Sequence, residues 1–156
     1  VGQHVLIYGA SGAIGTSAVQ LATHLGADVT GVCSTGNLEL VRSLGATTVI
    51  DYMKDDFTQG GRRYDLIFDA VGKRKSAKAM LNAGAALASG GVSMSVDDAF
   101  PRTKKSDLLV LKELAESGAF RPVIDRRYAL DEIVEAHRYV DLGHKKGNVI
   151  VTISPS

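Results

Sequence analysis

Residues 4–15, HVLIYGASGAIG, join a short apolar run to a glycine-rich loop. The apolar run at residues 5–7 shows no polar alternation, which is typical of a central strand buried on both faces of a parallel sheet. Apolar residues recur at helical spacing after the loop, so a helix is predicted to begin inside the glycine motif. A glycine-rich turn between a strand and a helix is the arrangement that binds the pyrophosphate of a dinucleotide.

The three glycines of the loop have different expected roles. Gly9 allows a tight turn out of the strand, Gly12 lets the backbone approach the pyrophosphate without a Cβ, and Gly15 allows close helix–sheet packing. The N-terminus of the helix offers unpaired N–H groups and the positive end of its dipole to the phosphates. The alternative is that these glycines only shape a turn in an α/β domain that binds no nucleotide. The predicted cofactor contacts of the loop are Ser11, Gly12, Ala13 and Ile14.

Short apolar segments alternate with amphipathic segments along the chain, which predicts a parallel sheet covered by helices. The predicted fold class is α/β, a doubly wound parallel sheet of the Rossmann type in three α/β/α layers. Residues 1–120 are assigned to a dinucleotide-binding domain and residues 121–156 to a C-terminal strand–helix–strand segment. Strands are predicted over 4–8, 29–33, 47–51, 65–69, 92–96, 122–124 and 149–153, and helices over 14–25, 38–44, 75–87, 106–117 and 131–142.

Local signals predict the ends and the buried faces of the later elements. The pair at residues 90–91, Gly-Gly, is expected to turn the chain into the fifth strand, and Ser106 is expected to cap the next helix. The two C-terminal helices are each expected to bury one apolar face, with His137 as a core residue. These faces carry Leu108, Leu111 and Ala115 in the first helix, and Ile133, Val134, His137 and Val140 in the second.

Length and composition exclude several classes of protein. With 156 residues, 45% of them hydrophobic, the chain can bury the core of one domain without disulfides. Its net charge of +1 and its scattered basic clusters argue against nucleic acid as a partner. No apolar run reaches the about 18 residues that cross a bilayer, so no membrane partner is expected. The single cysteine, Cys33, fits a reducing compartment, and a cytoplasmic location is predicted.

The end of the second strand indicates which dinucleotide binds. NAD sites usually place Asp or Glu there, about twenty residues past the glycines, to bind the ribose 2′-hydroxyl. This chain has Ser34, Thr35 and Asn37 instead, which can donate hydrogen bonds to the 2′-phosphate of NADP. We therefore predict NADP(H) as the cofactor, with NAD as the alternative. Arg42, one helical turn further on, is the candidate counter-charge.

The carboxyl ends of the other strands complete the predicted crevice. Tyr52, after the third strand, is expected to stack on the adenine. Val71 and Gly72, after the fourth strand, are expected near the nicotinamide-side ribose. Ser95, on the fifth strand, is expected to line the nicotinamide pocket. Ordinary loop chemistry is the alternative for each of these residues.

Two sets of catalytic residues are absent from the sequence. Short-chain reductases need G-x-x-x-G-x-G and Tyr-x-x-x-Lys, but the glycine spacing fails at Ala13 and no tyrosine is followed four residues later by lysine. One cysteine and four separated histidines cannot supply the ligands of a zinc-dependent dehydrogenase, so no metal is expected. Cys33 is expected to be a buried strand residue. No catalytic residue is assigned, because the cofactor itself carries the hydride chemistry.

Seven stretches together carry a family pattern: VLIYGASGAIGTSAVQLA (5–22), GVCST (31–35), LGA (44–46), VIDY (49–52), FDAVG (68–72), RPVIDRRY (121–128) and EAHRYV (135–140). With them the sequence resembles the medium-chain dehydrogenase/reductase superfamily, in its zinc-independent, quinone-oxidoreductase-like branch. The resemblance implies a longer enzyme in which an N-terminal GroES-like catalytic domain, absent from this sequence, packs on the part from residue 121 and takes the small-molecule substrate.

The predicted function is that of a cofactor-binding domain in an NADPH-dependent oxidoreductase that reduces quinones, or activated alkenes and carbonyls, by hydride transfer. Alone, this part is expected to bind nucleotide weakly and to turn over no substrate. A non-catalytic nucleotide-binding module, redox-sensing or structural, is the alternative. An S-adenosylmethionine methyltransferase is less favoured, because such sites usually need an acid where Ser34 stands. A homodimer through an exposed sheet edge is a further prediction.

Overall fold

A parallel sheet forms the centre of the fold in the computed structural model, which describes residues 2–98 and 102–153. The strands are β1 (His4–Tyr8), β2 (Asp28–Cys33), β3 (Thr48–Asp51), β4 (Tyr64–Asp69), β5 (Leu87–Ser95), β6 (Ile124–Ala129) and β7 (Asn148–Thr152). The helices are α1 (Ala13–His24), α2 (Leu38–Ser43), α3 (Lys73–Met80), α4 (Lys105–Glu116) and α5 (Ile133–Asp141). The first five strands make one sheet in the order β3-β2-β1-β4-β5, every pair parallel. The predicted α/β fold class is confirmed.

The central position of β1 follows from its apolar sequence. On one face of the sheet, Val5 and Ile7 pack in a core with residues of α1 and α2. On the other face, Leu6 packs in a second core that includes the 3-10 turn Ala83–Ala86. These three β1 residues are at most 7% exposed, so the strand is buried on both faces as predicted.

The sheet order reverses beside β1. The chain passes from β1 to β2 and β3 on one side, and then returns to β4 and β5 on the other side. In open parallel sheets, ligands bind outside the carboxyl ends of the strands at such a reversal. The loop after β1 and the loop after β4 both lie at this edge, so the glycine motif stands where a ligand crevice is expected.

The region between α3 and β5 differs from the prediction. The helix ends at Met80 rather than near residue 87, and β5 begins at Leu87 and runs through the glycine pair 90–91. That pair forms a bulge inside the strand, because the register shifts between the pairings at Tyr64 and Leu66. A Cβ at Gly91 would lie 2.6 Å from the Tyr64 carbonyl oxygen, so glycine permits the close strand approach there.

Helix α4 begins and packs differently from the prediction. Its N-terminus is capped by Asp107, whose Oδ2 accepts a bond of 2.9 Å from the Lys104 backbone N–H, and not by Ser106. The expected buried face is exposed, at 57% for Leu108 and 38% for Leu111, and Leu114 is the buried residue. The following strand, β6, does not join the five-stranded sheet, so α4 is not a crossover helix held against that sheet.

The C-terminal part forms a small β–α–β unit of its own. Strand β6 starts at Ile124, where the prediction ended its strand, and pairs in parallel with β7. The predicted buried face of α5 is wrong, because Ile133 and Val134 are 37% and 56% exposed and His137 is exposed as well. A two-stranded sheet covers less of a helix than a five-stranded one, and Ala136 is the buried residue of α5. The domain division at residue 120 stays a prediction.

Candidate dinucleotide-binding site

The glycine loop holds α1 unusually close to the end of β1. Gly9 has a φ of +79°, a conformation that side chains other than glycine rarely adopt. The amides of Gly9 and Ala10 both donate to the Val32 carbonyl at 3.0 Å, which ties the loop to β2. A Cβ at Gly15 would lie 2.1 Å from the Gly9 carbonyl oxygen, so the predicted packing role of this glycine follows from the geometry.

Gly12 differs from Gly15 because packing does not require it to be glycine. A Cβ there would meet only the Gly9 carbonyl oxygen, at 3.4 Å. Gly12 is the N-cap residue of α1, and no side chain caps this helix. The amides of the first turn of α1 are therefore free of a side-chain partner, as an anion site at a helix N-terminus requires.

A cavity of about 530 Å³ opens in front of this helix N-terminus. Eight of the eleven predicted cofactor residues line it: Ser11, Gly12, Ala13, Ile14, Ser34, Asn37, Tyr52 and Val71. They come from the ends of β1, β2, β3 and β4, so the fold brings together positions that are far apart in the sequence. Their contact with a cofactor stays a prediction.

The other three predicted residues, Thr35, Gly72 and Ser95, lie outside the lining and contact carboxylates at strand ends. The Thr35 hydroxyl donates to Asp51 Oδ2 at 2.6 Å, and this bond holds the pKa of Asp51 below its usual range. The Gly72 amide and the Ser95 hydroxyl both donate to Asp69, at 3.2 and 3.0 Å. Ser95 lines a separate cavity of about 330 Å³ beside α3.

The polar groups at the end of β2 form a small network. Asn37 Nδ2 donates to the hydroxyl oxygens of Ser11 at 3.2 Å and Ser34 at 3.0 Å. The Asn37 Oδ1 atom is buried and has no hydrogen-bond partner. This network links the glycine loop to the turn after β2, the place where the adenosine ribose lies in Rossmann-type sites.

The charges around the cavity favour an anion. Among the described residues that line the cavity, none is an Asp or a Glu, whereas Lys75 of α3 and Lys145 of the C-terminal loop both contribute. Cys33 also lines the cavity but is 1% exposed, and burial raises the pKa of its thiol to about 11. The thiol therefore remains protonated near neutral pH, and the prediction of a buried strand cysteine is confirmed.

The C-terminal loop 143–147 is the part of the site that the sequence analysis missed. Its residues Gly143, His144 and Lys145 line the cavity, together with Val140 at the end of α5. The Gly147 amide donates to the Ser11 carbonyl at 2.9 Å, and Gly147 forms a parallel β-bridge with Gly12. The signal was a basic turn between two glycines, GHKKG, but nothing in a linear sequence connects it to residue 12.

Aromatic side chains extend the site away from the glycine loop. Tyr52 lines both the main cavity and a neighbouring one of about 400 Å³. Tyr8, at the end of β1, lies 6.3 Å from the Tyr52 ring and 6.2 Å from the Phe57 ring, measured between centroids. Burial raises the pKa of Tyr8, so its hydroxyl stays protonated at neutral pH.

Two further properties concern metals and membranes. Within residues 2–98 and 102–153, no cluster of three or more His, Cys, Asp or Glu side chains is placed to hold a metal ion. In the same part of the chain, no helix has the length and apolar character needed to cross a membrane.

A parallel sheet with a glycine loop at its reversal point, and a cavity in front of a helix N-terminus, define a domain of the Rossmann type, the fold class in which dinucleotides bind at such a loop. Residues 44–151 match the family model described as zinc-binding dehydrogenase. The chain belongs to this family, within the medium-chain dehydrogenase/reductase superfamily and its quinone-oxidoreductase-like branch. The predicted resemblance to this superfamily and branch is confirmed, while zinc independence stays a prediction.

Individual relatives agree with this placement. The chain is 33% identical, over 156 residues, to the 2-methylene-furan-3-one reductase of Solanum lycopersicum and to the chloroplastic NADPH-dependent alkenal/one oxidoreductase of Arabidopsis thaliana. Each match covers 96% of this chain but 40% of the relative's length. The solved quinone oxidoreductase of Coxiella burnetii superposes with a TM-score of 0.78 at 23% identity, over 98% of this chain and 53% of that protein, and shows the shared fold.

Proposed function

We propose that the chain is the cofactor-binding part of an NADPH-dependent oxidoreductase that reduces quinones, or activated alkenes and carbonyls, by hydride transfer. The observation that carries the proposal is the acid-free cavity of about 530 Å³ in front of the uncapped N-terminus of α1. The names of the two plant relatives, an NADPH-dependent alkenal/one oxidoreductase and a furanone reductase, support the substrate class.

Each part of the cavity has a role in this proposal. The first-turn amides of α1 bind the pyrophosphate, with Gly12 allowing close approach. Ser34 and Asn37 bind the adenosine ribose and its 2′-phosphate, and Tyr52 packs on the adenine. When bound, NADPH supplies the hydride.

The substrate site of the proposed enzyme involves more than this chain. The chain spans 40% of the length of the two plant relatives, so the substrate is proposed to bind against parts of a longer protein. Within this chain, Val71 of the loop after β4 packs so close to the glycine loop that a Cβ at Gly9 would lie 2.4 Å from its Cγ2. Its proposed role is to line one side of the nicotinamide-side ribose. A homodimer through an exposed sheet edge and a cytoplasmic location stay predictions.

Nucleotide titration tests the proposal. Calorimetric titration of the 156-residue chain with NADPH and NADH is expected to show binding, with NADPH the tighter ligand. No binding of either dinucleotide at millimolar concentration would refute the proposed function. Activity on quinones and enals is then measured on the corresponding longer protein. The chain alone is expected to bind NADPH without oxidising it when these acceptors are added.

A further inference from the structure

The proposed NADP(H) site needs a positive charge near the end of β2, and Arg42 does not provide it. The Arg42 guanidinium pairs with Glu39 of the same helix, and both side chains are more than half exposed. Neither Arg42 nor Lys146 is among the described residues that line the cavity, so the present partner of each cationic group decides between them. The charge of Arg42 is already paired with Glu39 and is therefore not the free counter-charge that the sequence suggested.

Lys146, from the C-terminal loop 143–147, brings a positive charge close to the end of β2 instead. Lys146 Nζ lies 3.5 Å from the carbonyl oxygen of Gly36, in the 3-10 turn Thr35–Asn37 directly after β2. This turn is where a Rossmann-type site holds the adenosine ribose. We propose that Lys146 is the counter-charge to the 2′-phosphate and selects NADP(H) over NAD(H), an inference that rests on the proposed function.

The backbone of Lys146 is held from both sides. Its amide donates to Asp125 Oδ2 at 3.0 Å, and the same carboxylate oxygen accepts the Tyr139 hydroxyl at 2.6 Å. The next residue, Gly147, donates its amide to Ser11 of the glycine loop at 2.9 Å. The loop is thus fixed relative to the site, while the Lys146 side chain itself is exposed and can turn towards a ligand.

The present partner of the Lys146 ammonium is weaker than the proposed one. A neutral backbone carbonyl at 3.5 Å makes a long contact, whereas a phosphate gives a charge-assisted hydrogen bond about twice as strong as a neutral one. The nearby carboxylate of Asp51 accepts a bond from Thr35 and lies within 3.8 Å of Lys54, so its charge is already compensated. The Lys146 charge also interacts with Asp125, whose carboxylate already accepts hydrogen bonds from the Lys146 amide and the Tyr139 hydroxyl. A 2′-phosphate would give the ammonium an anionic hydrogen-bond partner of its own.

Two small probes isolate this interaction. Adenosine 2′,5′-bisphosphate and 5′-AMP differ only in the 2′-phosphate, and their dissociation constants are measured by calorimetry on the 156-residue chain. The wild-type chain is expected to bind the bisphosphate about tenfold more tightly. Lys146→Gln is expected to remove that preference and to leave the affinity for 5′-AMP within about twofold.

Three variants serve as controls. Lys146→Arg retains the charge and is expected to keep the preference. Lys112→Gln removes the same charge from an exposed ion pair with Glu116 on α4 and is expected to keep it as well. Arg42→Gln tests the rival residue directly. Raising the salt concentration should reduce the preference of the wild-type chain and have little effect on Lys146→Gln, because exposed charge pairs are screened.

The outcomes separate the two proposals. Retention of the preference in Lys146→Gln, or its loss in Arg42→Gln alone, overturns the role of Lys146. Equal binding of both probes by the wild-type chain also overturns it, while the dinucleotide function stands. If neither probe nor NADPH nor NADH binds at millimolar concentration, both proposals fail. Circular dichroism of each variant checks that the fold is retained.

Discussion

Gly15→Ala is expected to destabilise the fold, although alanine is a better helix residue than glycine. The added Cβ would lie 2.1 Å from the Gly9 carbonyl oxygen, 2.7 Å from Ala10 Cα and 2.8 Å from the Gly9 carbonyl carbon. All three are backbone atoms, and the Gly9 carbonyl also accepts the Gly12 amide at 3.1 Å. The added Cβ can be accommodated only if α1 moves away from β1 or if the turn between β1 and α1 is broken.

The net effect is a difference between two contributions. Overpacking in a rigid core costs up to about 3 kcal/mol, and the gain in helix propensity returns about 1 kcal/mol. The free energy of unfolding should therefore fall by about 2 kcal/mol, which lowers the midpoint of urea unfolding by about 1 M. Far-UV circular dichroism in a urea series measures this shift.

Gly12→Ala and Gly60→Ala are the matched comparisons. An added Cβ at Gly12 meets one atom at 3.4 Å, and one at Gly60 meets none within 4 Å. Gly60→Ala should change the free energy of unfolding by no more than a few tenths of a kcal/mol. Gly12→Ala should lower it by up to about 1 kcal/mol, because Gly12 is the N-cap residue of α1 and alanine is a poor N-cap. Gly12→Ala should also weaken NADPH binding, because its Cβ stands where the pyrophosphate approaches. A Gly15→Ala protein as stable as Gly60→Ala would refute the close contact between α1 and β1.

Two further predictions concern the titration of Asp28 and the reactivity of Cys33. The Thr47 hydroxyl, with Arg62 and His4, lowers the pKa of Asp28. The ionised Asp28 carboxylate therefore stabilises the fold near neutral pH, and this stabilisation is lost as the pH falls through the lowered pKa. Asp28→Asn should flatten the acid limb of the stability profile measured by urea unfolding, and an unchanged limb would contradict the assignment. Cys33 should resist a thiol reagent such as DTNB at pH 8 until urea unfolds the chain, and rapid labelling of native protein would show that it is accessible.

The first half of the fold was predictable because the apolar run and glycine loop of the sequence agree with the packing of β1 at the centre of the sheet. The apolar run of β1 and the glycine loop give the same bounds for β1 in the sequence and in the structure. Asp69, the acid at the end of β4, had no role assigned to it from the sequence. The structure shows that it accepts hydrogen bonds from Gly72, Ser76 and Ser95, so it fixes the chain after β4 and β5.

The second half was less predictable because its helices do not pack on the large sheet that their apolar spacing led us to expect. The apolar spacing of α4 and α5 indicates which face is apolar, but burial requires a sheet to cover that face. Strands β6 and β7 form a separate two-stranded sheet, and both helices leave apolar side chains exposed. Lys146 was missed for a different reason, since its contact with Gly36 joins two turns that share no sequence pattern.

The β-bridge between Gly12 and Gly147 has a consequence for how the chain folds. It joins the loop after β1 to the loop after α5, so it is among the contacts of longest sequence separation within the described residues. Loop closure over such a separation is slow, and contacts of this kind form late. Strand β1 and its glycine loop can therefore reach their native form while one wall of the cavity is still missing. During synthesis, the ability to hold the nucleotide is expected to arise only after residue 147 has left the ribosome.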